Sequence, residues 1–223
     1  MCSRRVDLGD LLYTAWIKLV RIAFWVLYNP MAWTYDWVSR AVSLGHWRDW
    51  QRTALPELRG ERVLELAFGT GDMLCDLQAS QHWAVGLDLS AQMVRIARQK
   101  LSCGNVCVPL VQGRTQQLPF AGASFDSVVS TFPAEFIAAP DTVGEIARVL
   151  RPGGRAVVVV LAQLLPSGLW ARFLELLYRI TGQRGPLPDL QPGLEALGLQ
   201  YQTMWKTANG GSVLLVVLEK RIC

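Results

Sequence analysis

The residues best suited to chemistry lie in one stretch. Val63-Leu64-Glu65-Leu66-Ala67-Phe68-Gly69-Thr70-Gly71-Asp72 puts an acid at the end of an apolar, strand-like run and two glycines in the turn that enters a helix. Glycine permits positive φ and lets a ligand approach the backbone closely, and the carboxyl end of a strand is where open α/β sheets bind ligands. Further on, Gly86-Leu87-Asp88-Leu89-Ser90 closes a second run on Asp88, and a carboxylate so placed can accept from both hydroxyls of a ribose. Two acids around a glycine turn describe a nucleoside pocket.

A dinucleotide's pyrophosphate must meet the helix N-terminus closely, which calls for a third glycine three residues after the second. Position 74 is Leu74. Glu65 and Asp72 also flank the turn with negative charge, which suits a ligand with a cationic amino-acid portion better than a pyrophosphate. The residues favour S-adenosylmethionine over a nicotinamide cofactor.

Such a pocket needs a sheet to hold it. Strand-like runs occur at Arg62 to Leu66, Trp83 to Asp88, Val106 to Gln112, Ser127 to Ser130 and Ala156 to Leu161, with helical stretches at Met73 to Ser80, Ala91 to Leu101 and Thr142 to Leu150. That alternation implies parallel strands joined by right-handed crossovers. After the fifth strand, Leu169 to Thr181 reads as an amphipathic helix and Gly185 to Pro192 as a Pro-rich loop, a candidate lid. Leu199 to Lys206 and Ser212 to Glu219, either side of Thr207 to Gly211 with its Gly-Gly pair, read as a closing hairpin. The expectation is an α/β fold whose seven-stranded, mostly parallel sheet ends in an antiparallel hairpin, over residues 59–223. Residues 1–58 form a helical N-terminal extension and cap.

Several segments together resemble a family. Val63 to Asp72, Val85 to Leu101, Leu118-Pro119-Phe120 with Ser124-Phe125-Asp126, and Glu145-Ile146-Ala147-Arg148-Val149-Leu150-Arg151-Pro152-Gly153-Gly154 look like those of class I S-adenosylmethionine-dependent methyltransferases. The likeness is to the methyltransferase type 11 group, which includes the ubiquinone and menaquinone biosynthesis enzymes. Tyr35-Asp36 and Ser43 to Trp50 also look like the N-terminal cap of the quinone-methylating branch.

The resemblance implies a Rossmann-like fold and S-adenosyl-L-methionine as cofactor. It also implies that Glu65, Gly69 and Gly71 hold the methionine side, that Asp88 binds the ribose, and that Met93 or Leu89 packs near the adenine. Thr131, after the fourth strand, joins the same site. Two positions depart from the family pattern. Ala67 stands where the loop's first glycine is usual, and Arg114 stands where an Asp usually accepts from the adenine amino group. A guanidinium has no acceptor, which leaves the Thr115 backbone or the Gln116 side chain to read the adenine. Methyl transfer asks little of side chains beyond in-line placement; a phenol or ring-carbon nucleophile would still gain from an acceptor. His46, Asp36, Tyr35 and Glu135 are the candidates.

The acceptor molecule is less constrained. Six of nine tryptophans fall in the first fifty residues, and Leu11 to Tyr28 is an apolar run crossed by Lys18 and Arg21. Those charges argue against a spanning helix. Asp7, Asp10, Thr14, Lys18 and Arg21 instead make one narrow polar stripe on an apolar cylinder. Such a helix can lie in an anionic membrane interface or pack on the catalytic domain, and both readings of residues 1–28 stay open. An apolar small molecule, a quinone precursor or lipid-like compound, is the leading substrate class. A soluble metabolite, or a non-catalytic protein that only binds the cofactor, are the alternatives.

Composition sets the outer limits. The chain has 223 residues, 51% hydrophobic and 18% charged, with a formal charge of +4, too apolar for disorder and without the dense basic block of a nucleic-acid binder. Five cysteines without framework spacing and no cleavable leader point to reduced thiols in a cytoplasmic protein, at most peripheral on the inner face of a membrane. His46 and His82, the two histidines, argue against a zinc site.

Overall fold

A computed structural model of the chain describes residues 8–28, 30–104, 107–165, 168–181 and 191–222. A long helix, α1 (Leu8–Tyr28), leads through a 3-10 turn at Ala32–Thr34 into two short helices, α2 (Tyr35–Val42) and α3 (Trp47–Arg52). Alternation then begins: β1 (Arg62–Leu66), α4 (Asp72–Ala79), β2 (Trp83–Asp88), α5 (Ala91–Cys103), β3 (Leu110–Gln112), β4 (Phe125–Thr131), α6 (Pro140–Val149) and β5 (Leu150–Leu164). Helices α7 (Gly168–Ile180) and α8 (Gln191–Ala196) precede the last strands, β6 (Leu199–Ala208) and β7 (Gly211–Lys220). The sheet order is β3-β2-β1-β4-β5-β7-β6, with β1 to β5 parallel and β7 antiparallel to both neighbours. The seven-stranded, mostly parallel sheet with a closing hairpin is therefore present.

The central strands are apolar almost throughout because both faces of a parallel sheet are covered. Alternate residues divide between two cores. Leu64, Leu66, Leu87, Val128 and Val158 meet α6 residues Val143 and Ile146 on one face. Val63, Ala84, Val129, Val157 and Val159 meet Met73, Leu74 and Leu77 of α4 and Ala97 of α5 on the other. Trp50 of α3 belongs to that second core, with its indole Nε1 donating to the Asn209 carbonyl at 2.9 Å. Helix α3 is thus built into the same interior as the sheet.

Three sequence expectations need correction. Among the described residues the third strand pairs over Leu110–Gln112, because Pro109 has no N–H to continue the ladder; Val106, where the run was expected to begin, lies outside the described residues. The fifth strand starts at Leu150 and takes in Arg-Pro-Gly-Gly, where a Cβ on Gly154 would stand 2.8 Å from the Arg151 carbonyl and 2.9 Å from that of Asp126. Only glycine lets the chain pass there without displacing backbone. The Pro-rich segment expected as a loop ends inside a helix, since Pro192 is the second residue of α8, a position where its missing N–H costs nothing; residues 185–190 of that segment lie outside the described residues. Among the described residues, no helix is long and apolar enough to cross a membrane.

Candidate active site

The loop from Ala67 to Gly71 turns at the carboxyl end of β1. Ala67, Gly69 and Gly71 take φ of +54°, +56° and +86°, so three of five residues are left-handed; two are glycines and bear this freely, and Ala67 does so against its Cβ. The Ala67 N–H donates to the Leu87 carbonyl at 2.7 Å, which fixes the loop to β2. Gly69 has open space where a Cβ would stand, whereas a Cβ on Gly71 would press the Ala97 Cβ at 3.0 Å. One glycine leaves room for a ligand; the other lets α5 pack close.

Asp88 ends β2 beside this loop. Its Oδ2 accepts from the Gly69 N–H at 2.9 Å and its Oδ1 from the Ser90 N–H at 2.8 Å, which aims the carboxylate and leaves lone pairs for ribose hydroxyls. Burial pushes its carboxyl above the ordinary range, against the pull of those backbone donors. Glu65 is more extreme. It is 1% exposed, and neither carboxylate oxygen has a hydrogen-bond partner among the described residues. Burial first, then the charges of Asp88, Asp72 and Asp76, push it well above the usual carboxylate range. Unpaired buried carboxylates are costly, and a cationic ligand above this floor would relieve the cost. This set of acceptors therefore fits S-adenosylmethionine, with its sulfonium and ammonium charges.

Away from Asp88, the loop borders a cleft lined by Tyr35, Trp47, Gln51, Thr70 and Thr131. Trp47 packs on Phe132 with ring centroids 4.3 Å apart and planes tilted by 33°, and Tyr35 meets Trp47 edge-on at 6.4 Å. Of the four candidate bases, only Tyr35 lines this cleft. Asp36 is taken by Lys100 at 2.9 Å and by the Thr70 hydroxyl at 2.6 Å. His46 lies over Gly210 in the β6–β7 turn, and Glu135 is exposed at the start of a 3-10 turn, Glu135–Ala138.

The residues expected at the adenine are spread. Met93 is buried in α5 while Leu89 is 63% exposed. Arg114 and Gln116 are exposed, and the buried Thr115 hydroxyl bonds to Thr142 of α6 at 3.2 Å. Other motif segments turn out to brace the sheet. Glu145 accepts from the Leu118 N–H at 2.6 Å, Arg148 donates to the Leu118 and Phe120 carbonyls, and Arg151 pairs with Asp126 at 2.6 Å. Sequence reasoning missed Gln51 and Lys100. Gln51 follows Trp47 by one helical turn, a spacing that places both on one face; nothing in the local sequence marks Lys100.

A family model for a methyltransferase domain matches residues 63–154. A demethylmenaquinone methyltransferase of Thermus thermophilus is 34% identical over 164 residues, covering 71% of this chain and 72% of that one. One from Mycobacterium sp. (strain KMS) is 39% identical over 138 residues, covering 59% and 56%. The chain thus spans little more than half the length of some curated relatives it matches. Among solved structures, the YcgJ protein of Bacillus subtilis superimposes with a TM-score of 0.56 at 22% identity, covering 80% of this chain and 98% of that one. A SAM-dependent methyltransferase of Methanosarcina mazei gives 0.56 at 17%, covering 76% and 97%; both likenesses are of fold. On the strength of the Thermus relative, the matched domain and the loop geometry, the chain belongs to the class I S-adenosylmethionine-dependent methyltransferases.

Proposed function

We propose that this chain transfers the methyl group of S-adenosylmethionine to an apolar, ring-bearing acceptor of the quinone-precursor kind. The observation that carries the reading is the aromatic side of the cleft, where Tyr35 and Trp47 face the glycine loop and Phe132 backs Trp47. Flat rings of this kind hold a flat apolar ring by offset or edge contacts and keep water out. The relatives support it, being demethylmenaquinone and ubiquinone/menaquinone methyltransferases.

S-adenosylmethionine, when bound, supplies a methyl already activated by its sulfonium. What remains for the protein is placement. Asp88 would hold the ribose, the open backbone at Gly69 would admit the cofactor, and Glu65 would balance its positive charge. Thr131 would frame the same site, Gly71 would hold the turn, and the described helices within residues 8–58 would close it as a cap. The exposed Leu89 would lie along the adenine, with Met93 beneath it and Arg114, Thr115 and Gln116 at the far rim.

The apolar surface suits a lipid-borne acceptor. Leu19, Ile22 and Trp25 of α1 and Leu169, Trp170, Phe173 and Leu176 of α7 are all exposed, and the Trp16 indole joins the two helices by donating to the Ile180 carbonyl at 2.8 Å. Lys18 and Arg172 are exposed on the same helices. We place peripheral contact with an anionic membrane here, extending it from residues 1–28 to α7.

The test is transfer of labelled methyl from S-adenosylmethionine to demethylmenaquinone carried in anionic vesicles. Labelled quinone is expected. Binding of S-adenosylhomocysteine with no transfer would favour the non-catalytic alternative, and transfer only to soluble acceptors would favour the metabolite one. Asp88→Ala should weaken S-adenosylhomocysteine binding by about 1 to 3 kcal/mol in calorimetry, the loss of charge-assisted hydrogen bonds. The protein should co-sediment with the vesicles, less so at high salt and least in the Trp25→Ser, Trp170→Ser variant.

A further inference from the structure

The Lys100 ammonium has three N–H donors and meets three acceptors, each from a different element. Its Nζ donates to Asp36 Oδ2 of α2 at 2.9 Å, to the Thr70 hydroxyl of the glycine loop at 3.1 Å and to Asp72 Oδ1 at the start of α4 at 2.9 Å. The other Asp36 oxygen, Oδ1, accepts from the Thr70 hydroxyl at 2.6 Å, which closes the ring of bonds. Lys100 reaches this point because α5 packs tightly on the loop. A Cβ on Gly71 would stand 3.0 Å from that of Ala97, and Lys100 lies three residues on, one turn along the same face. Burial would lower the ammonium, but the Asp72 and Asp36 carboxylates outweigh it and hold Lys100 above its ordinary value.

What this clamp fixes is the roll of α2. That helix has 8 residues, too few to be stable by itself, so its placement comes from its ties. The Tyr178 hydroxyl of α7 holds the carbonyl of its last residue, Val42, at 2.9 Å, and the clamp holds its first turn. Tyr35, the residue before Asp36, lines the cleft. Successive side chains leave a helix about 100° apart, so an anchor on Asp36 also sets the direction of Tyr35. With side chains reaching about 5 Å from the axis, a roll of about 20° would carry the Tyr35 ring about 2 Å, and about 1 Å of misplacement can cost 100-fold in rate. We propose that Lys100 is a positioning residue for the methyl acceptor: by clamping Asp36 to the glycine loop it sets the roll of α2 and holds Tyr35 where the acceptor ring must lie. The proposal rests on the methyltransferase reading above. It leaves the cofactor aside, since the loop's own ties, from the Ala67 N–H to Leu87 and from the Gly69 N–H to Asp88, do not pass through Lys100.

A double-variant cycle with Tyr35 separates positioning from general support of the fold. The full chain transfers methyl to demethylmenaquinone in anionic vesicles at saturating S-adenosylmethionine, and calorimetry follows S-adenosylhomocysteine affinity. Lys100→Met should lower kcat/KM for the acceptor roughly 10- to 100-fold and leave S-adenosylhomocysteine affinity unchanged, and Lys100→Arg, which keeps the charge, should recover most of the loss. In a Tyr35→Leu background, which has already lost the ring, Lys100→Met should cost little more, because residues that act as a unit are not additive. Full additivity, an unchanged kcat/KM, or a loss of cofactor affinity in step with the rate overturns the proposal. If Lys100→Met does not fold, Asp36→Asn takes its place by weakening the clamp from the other side, and the same lack of additivity is required. A wild-type chain that transfers methyl to no acceptor would defeat the methyltransferase reading, and the proposal with it; with an active wild type, the failures above strike the role of Lys100 alone.

Discussion

The floor of the site and the seam that holds the cap treat their acids in opposite ways. At the seam, Asp76 of α4 accepts paired hydrogen bonds from Arg48 at 2.8 and 3.1 Å and from Arg52 at 2.8 and 3.0 Å. Lys100 of α5 gathers Asp36 of the cap, Asp72 and the Thr70 hydroxyl within 3.1 Å. Burial alone would raise Asp76, but its two arginines outweigh that and hold it below the ordinary carboxylate range. On the floor, Glu65 has no such partner among the described residues and is pushed the other way. Charges that serve the fold are satisfied within it, and those left unsatisfied mark where a ligand's charge belongs.

Changing the floor acid should have the largest effect, because it reverses a sign. A carboxyl raised in the folded state keeps its proton where the unfolded chain has lost it, so its contribution is full below the ordinary carboxylate range. That contribution is lost as pH rises through the folded value. Wild-type melting temperature without ligand should accordingly decline on the alkaline side of that range, with Asp88 adding to the decline. Glu65→Gln should melt higher at neutral pH, with a flatter alkaline limb, and yet bind S-adenosylhomocysteine more weakly. Unchanged melting together with unchanged binding would mean that Glu65 is not the charge the ligand meets.

The seam should respond more modestly and on the other side of the pH scale. Asp76 is lowered, so its stabilisation is present above the ordinary carboxylate range and is lost as pH falls below it. Asp76→Ala should cost about 2 kcal/mol in urea unfolding at neutral pH, less than a fully buried pair would, because Arg48 and Arg52 are half exposed and can turn to water. The variant should also lose the acid-side decline of the wild type. A cost below about 0.5 kcal/mol, the level of an ordinary surface pair, would show that the aromatic packing of Trp47 and Trp50 holds the cap without help.

What the sequence revealed follows the same division. β1 and β2 were legible to the residue, because a buried parallel strand is a short apolar run bounded by turn residues and needs no distant partner to be recognised. Glu65, the glycines and Asp88 came with those strands. The seam was not legible: Lys100 meets Asp36 across 64 positions and Gln51 meets Thr131 across 80, and no local pattern announces a pairing of that range. For the same reason the sequence could offer Asp36 and His46 as candidate bases without showing that Asp36 pairs with Lys100 or that the His46 ring lies against Gly210 of a distant turn. The short β3 is an exception of another kind, since Pro109 was in plain view and its missing donor should have trimmed the run.

The smallest effect, and the sharpest on the loop itself, concerns Ala67. Its φ of +54° lies where a Cβ crowds the backbone, a strain of about 1 to 2 kcal/mol for an L-residue. Gly69 and Gly71 hold similar angles without it. Ala67→Gly removes the strain and gives back part of the gain through the greater freedom of glycine in the unfolded chain. The balance should be a stabilisation of about 0.5 to 1 kcal/mol, read as a small rise in the urea midpoint at constant slope. The loop backbone and the Ala67 N–H bond to Leu87 should be undisturbed, so S-adenosylhomocysteine binding should hold or tighten slightly. A loss of stability would mean that the alanine methyl contributes packing worth more than the strain it brings, and the loop would then be fitted to this departure from the family pattern.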